Sequence, residues 1–195
     1  MLYDDLSKKF SEHFINEQFI GFSDHSPINE RDAAIKAGLG MIGMNSMLIN
    51  PKYGSYIFIG SIFTTLELET VFYDAVACIK CGKCVEACPT GALVNGFDKC
   101  LSFITQKKNK TEEDIRTILN NYSIWGCDIC QDVCPYNKNA EDSPISFFDE
   151  NIINHLTTSI VNDMDDDEFE KRAFSWRGRK TILENLSLSV NKKQR

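Results

Sequence analysis
The spacing of its cysteines constrains this chain more than any other feature. Cys78, Cys81, Cys84 and Cys88, with Pro89 after them, follow the pattern C-x2-C-x2-C-x3-C-P. A second group consists of Cys100, Cys127, Cys130 and Cys134, and Pro135 follows the last of them. These two groups use all 8 cysteines of the chain. A cubane iron–sulfur cluster takes four thiolates, so two clusters account for every cysteine. In proteins with two such clusters, the fourth cysteine of a run ligates the other cluster. On that rule Cys78, Cys81, Cys84 and Cys134 hold one [4Fe–4S] cluster. Cys88, Cys100, Cys127 and Cys130 hold the other.

Each gap has a physical reason. A two-residue gap lets a tight loop turn its sulfurs inward, with free N–H groups left to donate to the cluster. A three-residue gap carries the last cysteine one helical turn further on. Proline then stops the helix, because it has no N–H for the ladder. Gly82 permits a left-handed backbone next to the metal. Disulfides suit small secreted scaffolds, which this chain does not resemble. Zinc suits paired C-x2-C but does not call for two C-x3-C-P endings.

The 195 residues allow one domain, or one domain with a small insert. Met1 to Phe10 contains no apolar h-region, so no signal peptide is expected. The longest apolar stretch, 56–63, is interrupted by Gly60 and Ser61 and is too short to cross a bilayer. Free cysteines without an export signal point to a reducing cytoplasm and away from membranes. Charge is unevenly spread: residues 171–195 hold 8 of the 21 basic residues and only one, Glu184, of the 28 acidic ones. Such a basic end either meets a phosphate backbone or is a solvated tail.

Along the chain, Leu6, Phe10 and Phe14 predict an amphipathic helix over 3–17. A short buried strand, 19–22, leads into the turn-rich stretch 23–27, which includes Asp24 and His25. A helix over 30–37 should end at Gly38. The G-x-G-x-x-G of Gly38, Gly40 and Gly43 follows that helix and closes it. A dinucleotide loop must instead follow a strand and open a helix, so the match is a decoy. Strands are expected at 48–50 and 56–64, joined by a turn at 51–54. Thr111 and Asp114 predict a capping-box-like start to a helix with Ile115, Ile118, Leu119 and Tyr122 on one face. Phe103 and Trp125 are set either to shield clusters from water or to pack as ordinary core aromatics. A short element starts at Ser146. The acidic run 163–170 opens a helix, and 180–190 forms a last one.

These residues resemble the epoxyqueuosine reductase family. The likeness rests on the stretches 24–31, 37–46 and 54–60, then on 88–92, 100–105 and 127–137, in the right order. Residues 174–180 are similar to the family's segment beyond the clusters. The resemblance implies reduction of epoxyqueuosine to queuosine in tRNA. Electrons from a donor such as a flavodoxin or ferredoxin pass through two [4Fe–4S] clusters to a cobalamin. It implies that Asp24, the aspartate of the family's D-x-x-P motif, is the proton donor. It also brings Asp24, Ser102 and Asp128 near the cobalamin. Arg172, Arg177, Arg179 and Lys180 become candidate tRNA contacts. Two departures stand out: full-length relatives carry a further region ahead of this one, and Met44 stands where the family usually has lysine. The fold expected is α+β. A small platform of helices and strands occupies 1–74, a ferredoxin-like two-cluster segment 75–140, and C-terminal helices 141–195. The alternative function is that of a two-cluster ferredoxin, or of an inactive homologue that binds no cobalamin.

Overall fold
The computed structural model describes residues 2–24, 26–71, 73 and 77–190. His25 lies outside the described residues. The α+β architecture read from the sequence holds. The chain divides into two compact units, Met1–Cys81 with Pro135–Asp142, and Gly82–Cys134 with Ser143–Arg195.

The first unit begins with helix α1, Leu2–His13. It stops short of the predicted 3–17, but Phe14 still bonds back to the Phe10 carbonyl. Phe10 and Phe14 both pack on Phe19, with ring centroids 5.5 and 5.9 Å apart. This contact seats α1 on strand β1, Phe19–Phe22. Two further strands, β2 (Met41–Ile42) and β3 (Leu48–Ile49), pair antiparallel. Strand β4, Ser61–Thr64, pairs antiparallel with β1, from Phe19 opposite Thr64 to Phe22 opposite Ser61. The strand expected over 56–64 therefore forms only in its second half. The pairing ends because β1 turns away after Phe22, leaving residues 56–60 without a partner strand.

Helix α2, Glu30–Lys36, is capped by Asn29, whose side chain accepts the Asp32 N–H. The glycines after it allow close packing. A Cβ at Gly40 would sit 2.1 Å from the Ile49 carbonyl oxygen, so only glycine lets β2 lie this close to β3. At the turn, Asn50 Oδ1 accepts the N–H groups of Lys52 and Tyr53. Residues 135–142 rejoin this unit. Asn137 accepts the Ser55 N–H at 2.8 Å and donates to Ser55 Oγ at 2.9 Å.

The second unit is helical: α3 (Lys83–Ala87), α4 (Ala92–Asn95), α5 (Leu101–Thr105), α6 (Glu112–Asn121), α7 (Ile129–Asp132), α8 (Thr158–Asp163), α9 (Asp166–Glu170) and α10 (Arg179–Val190). Its core consists of Val161, Met164, Phe169, Ile182 and Leu186. Trp125, Phe174 and Leu183 pack against it. The predicted final helix, with Ile182, Leu183 and Leu186 inward, is therefore observed. The acidic run does open a helix, but one turn late: α8 ends at Asp163, and Asp165 caps α9 by accepting the Glu168 N–H at 2.8 Å.

Helix α6 begins with the predicted reciprocal cap. Thr111 Oγ1 accepts the Asp114 N–H, and Asp114 Oδ2 accepts the Thr111 N–H at 2.8 Å. Ile118 is buried, but Tyr122 is not on the apolar face. Tyr122 sits past the helix end in the left-handed conformation and points to solvent. Among the described residues, no helix is long and apolar enough to cross a membrane.

Candidate metal centres
The first run begins with a turn. Lys80 takes a left-handed conformation, φ 52°, and its N–H then donates to Cys78 Sγ at 3.4 Å. Gly82, φ 79°, makes the second reversal and starts α3. Helix α3 carries Cys84 in its first turn and ends at Cys88, which Pro89 keeps from continuing. The second group repeats the plan. Cys130 lies on α7, Val133 ends it, and Cys134 follows. The x3 gaps thus do act as single helical turns, and α3 packs on α7.

All eight cysteines are free thiols, and none is fully buried. Among the described residues, no three His, Cys, Asp or Glu side chains converge as a single metal ion would need. A zinc ion draws its sulfurs to ~2.3 Å. A cubane, with an iron at each of four corners, holds its thiolates further apart.

In the second unit, the thiols differ in character. Burial pushes Cys127 above the ordinary thiol range, against one Ile129 N–H, and the neighbouring charges of Cys100, Asp128 and Cys88 push it the same way. The charges of Cys100 and Cys88 thus reach Cys127. These three come from sequence positions far apart, and they belong to the set that crosswise ligation assigns to one cluster. Crowded thiolates without a cation repel; an iron cluster supplies the positive charge that makes such crowding favourable. At Cys88, burial pushes the same way, but the N–H groups of Leu93 and Thr90, the Thr90 hydroxyl and the Ala92 N–H outweigh it. The Cys88 thiol is held below its usual range as a result.

The loop before Cys127 is held from behind. Thr105, fully buried on α5, accepts the Gly126 N–H at 3.1 Å. Ser123 Oγ donates to the Gly126 carbonyl at 2.7 Å. Asn185 of α10, also 0% exposed, donates to both the Thr105 and the Ile124 carbonyls at 2.8 Å. Sequence reasoning missed Thr90, Thr105 and Asn185. The one signal for Asn185 is an amide within the apolar stripe Ile182, Leu183 and Leu186.

The remaining predicted residues fall in both units. Asp24, in the first unit, is exposed and left-handed at φ 58°, a conformation that aspartate tolerates better than most residues. Ser102 and Asp128 belong to the second unit. Ser102 Oγ accepts from Gln106 Nε2, and Asp128 Oδ1 accepts from Gln131 Nε2 at 2.6 Å. Phe103 packs on Phe97, with ring centroids 5.3 Å apart. Trp125 packs on Phe174 and Trp176, so it serves the helical core.

The four basic candidates split. Arg172, whose side chain is 18% exposed, donates to the Asn151 carbonyl and pairs with Glu168 at 2.9 Å. Arg179 donates to the Val161 carbonyl and stacks over Phe169 at 4.3 Å. Both guanidinium groups are thus engaged within the unit. Arg177 lies over the exposed Trp176 ring at 4.0 Å, and Lys180, 90% exposed, is 3.8 Å from Glu184.

Comparisons with known proteins converge with this geometry. A family model described as a 4Fe-4S double cluster binding domain matches residues 77–137. The epoxyqueuosine reductase of Bacillus subtilis is 33% identical over 97% of this chain and 50% of its own length. A structure of epoxyqueuosine reductase from Streptococcus thermophilus superposes with a TM-score of 0.76 at 28% identity, over 98% of this chain and 53% of that one. Another, solved with an epoxyqueuosine-modified tRNA-Tyr stem loop, gives a TM-score of 0.72 at 29% identity over 97% and 54%. The chain spans about half the length of the relatives it matches. With its double-cluster segment, its eight free cysteines and a fold shared from end to end, the chain belongs to the epoxyqueuosine reductase family.

Proposed function
We propose that this chain is an iron–sulfur oxidoreductase of the epoxyqueuosine-reducing type. It acts on epoxyqueuosine in tRNA, with electrons relayed through two [4Fe–4S] clusters to a cobalamin. The observation that carries this reading is the match of residues 77–137 to a 4Fe-4S double cluster binding domain, a span that contains all eight cysteines. Crosswise ligation then divides them into two sets of four. Cys78, Cys81, Cys84 and Cys134 serve one cluster; Cys88, Cys100, Cys127 and Cys130 serve the other. The clusters supply single electrons, and the cobalamin supplies the reductant that meets the epoxide.

The chain's own residues do the rest. The cysteines hold the clusters, and the loop amides stabilise the sulfurs. Ser102 and Asp128 offer the hydroxyl and carboxylate groups that a corrin's amide side chains need as partners. Asp24 delivers the proton to the oxygen leaving the epoxide carbon. Its left-handed turn fits that role, because strained backbone positions gather at functional sites. Lys180, 90% exposed, and Arg177, half-buried over the exposed Trp176 ring, meet the tRNA backbone.

Anaerobic reconstitution with iron and sulfide, followed by cob(II)alamin, tests the reading. A bound, base-off spectrum and conversion of epoxyqueuosine in tRNA are expected. Asp24→Asn should keep both clusters and lose conversion; unchanged turnover excludes the proton-donor role. A second reading, a two-cluster electron-transfer protein, is supported by the double-cluster segment at 77–137. Full clusters with no cobalamin binding would select it.

A further inference from the structure
Cys88 has a hydroxyl side chain beside its sulfur. Its sulfur lies 3.9 Å from Thr90 Oγ1. Gly91, left-handed at φ 63°, turns the chain there, and its own N–H donates to the Cys88 carbonyl at 3.1 Å. At Cys127 the Ile129 N–H acts on the sulfur, and the charges of Cys100, Asp128 and Cys88 oppose it.

We propose that Thr90 is a tuning residue: its hydroxyl donates to Cys88 Sγ and raises the reduction potential of the cluster that Cys88 ligates. The inference rests on the cluster reading above. A sulfur bound to iron is a thiolate and carries no proton, so in the pair with Thr90 it can only accept. One-electron reduction adds negative charge to the cluster and its sulfurs. Donors aimed at those sulfurs stabilise the reduced form more than the oxidised one, and so make the cluster a better acceptor. The effect is local, because the Thr90 hydroxyl reaches one ligand of one cluster. A potential difference between the two clusters then gives electrons a preferred resting place, on the cluster that contains Cys88.

The test is a potentiometric titration of the full reconstituted chain, read by electron paramagnetic resonance. Cys88→Ala first marks which reduction wave belongs to its cluster. Thr90→Val, which keeps the side-chain shape and removes the hydroxyl, should lower the midpoint of that wave alone. The expected size is at least threefold in its one-electron equilibrium, or ~28 mV. Thr90→Ser should restore the parent value. If the wave stays put in Thr90→Val, or both waves move together, the inference is overturned while the cluster reading stands. A parent chain that takes up no iron and sulfide overturns both.

Discussion
Asp114 shows how much one side chain does in the cluster segment. It closes the cap of α6 and accepts from Lys107 Nζ at 2.7 Å. Burial raises its pKa, but the bonds from Lys107 and Thr111 outweigh burial and hold the carboxyl below its ordinary value. A depressed pKa means the native state favours the ionised form. The resulting stability is present in full above the unfolded pKa of ~3.9 and is lost as pH falls through the folded value. Asp114→Asn should cost about 2 kcal/mol at neutral pH, the worth of charge-assisted bonds. Denaturant unfolding of the two proteins should converge as the medium is acidified below pH 4. A gap that persists at low pH would assign the loss to packing. This residue was legible in sequence as a cap, through Thr111 three positions ahead of it. Its pairing with Lys107 was not, because no local spacing rule connects a helix cap to a lysine four residues before the cap.

Among the elements, α10 extends furthest beyond its sequence reading. Its apolar stripe was legible, and the stripe does bury Ile182 and Leu186. What the periodicity could not convey is that Asn185 in that stripe braces the loop carrying Cys127. Polar residues in an apolar face have no partner until tertiary structure supplies one, and here the partners lie 80 and 61 positions away. Asn185→Leu leaves the Thr105 and Ile124 carbonyls without this donor. It should cost on the order of 3 kcal/mol, from two orphaned buried acceptors. The same variant should lose one cluster more readily than the other when oxygen or a chelator is added. Iron content followed over time would fall in two steps, and a single uniform decay would deny α10 that role. The strand expected over 56–64 shows the converse error. Its apolar composition suits a strand throughout, but strands exist only where a partner runs alongside, and β1 is four residues long.

Across the whole molecule, the cysteine count and motif order were enough to read the family and the α+β class. The division into units was less legible. Both units are discontinuous in sequence, since residues 135–142 return to the first and 143–195 join the second. The basic C-terminal segment also looks different once folded. Of the four candidate cations, Arg172 and Arg179 are held by carbonyls and carboxylates, Arg177 is half-buried over Trp176, and Lys180 faces outward. Affinity for tRNA should therefore fall with salt, and replacing Arg177 and Lys180 by alanine should reduce the slope of log K against log salt by about one per lost phosphate contact. Arg172→Ala should leave the slope unchanged and lower the unfolding midpoint. Equal slopes in all variants would remove this segment from the tRNA surface.

The brace from Asn185 also sets a schedule. A ribosome makes the cysteines at 78–134 well before it reaches position 185. Until that amide emerges, the Cys127 loop lacks the two bonds that fix its backbone, and the core around Ile182 and Leu186 has not closed. The cysteines of 100–130 therefore have a prepared seat for a cluster only after position 185 has emerged, and insertion of iron and sulfide there waits for that segment.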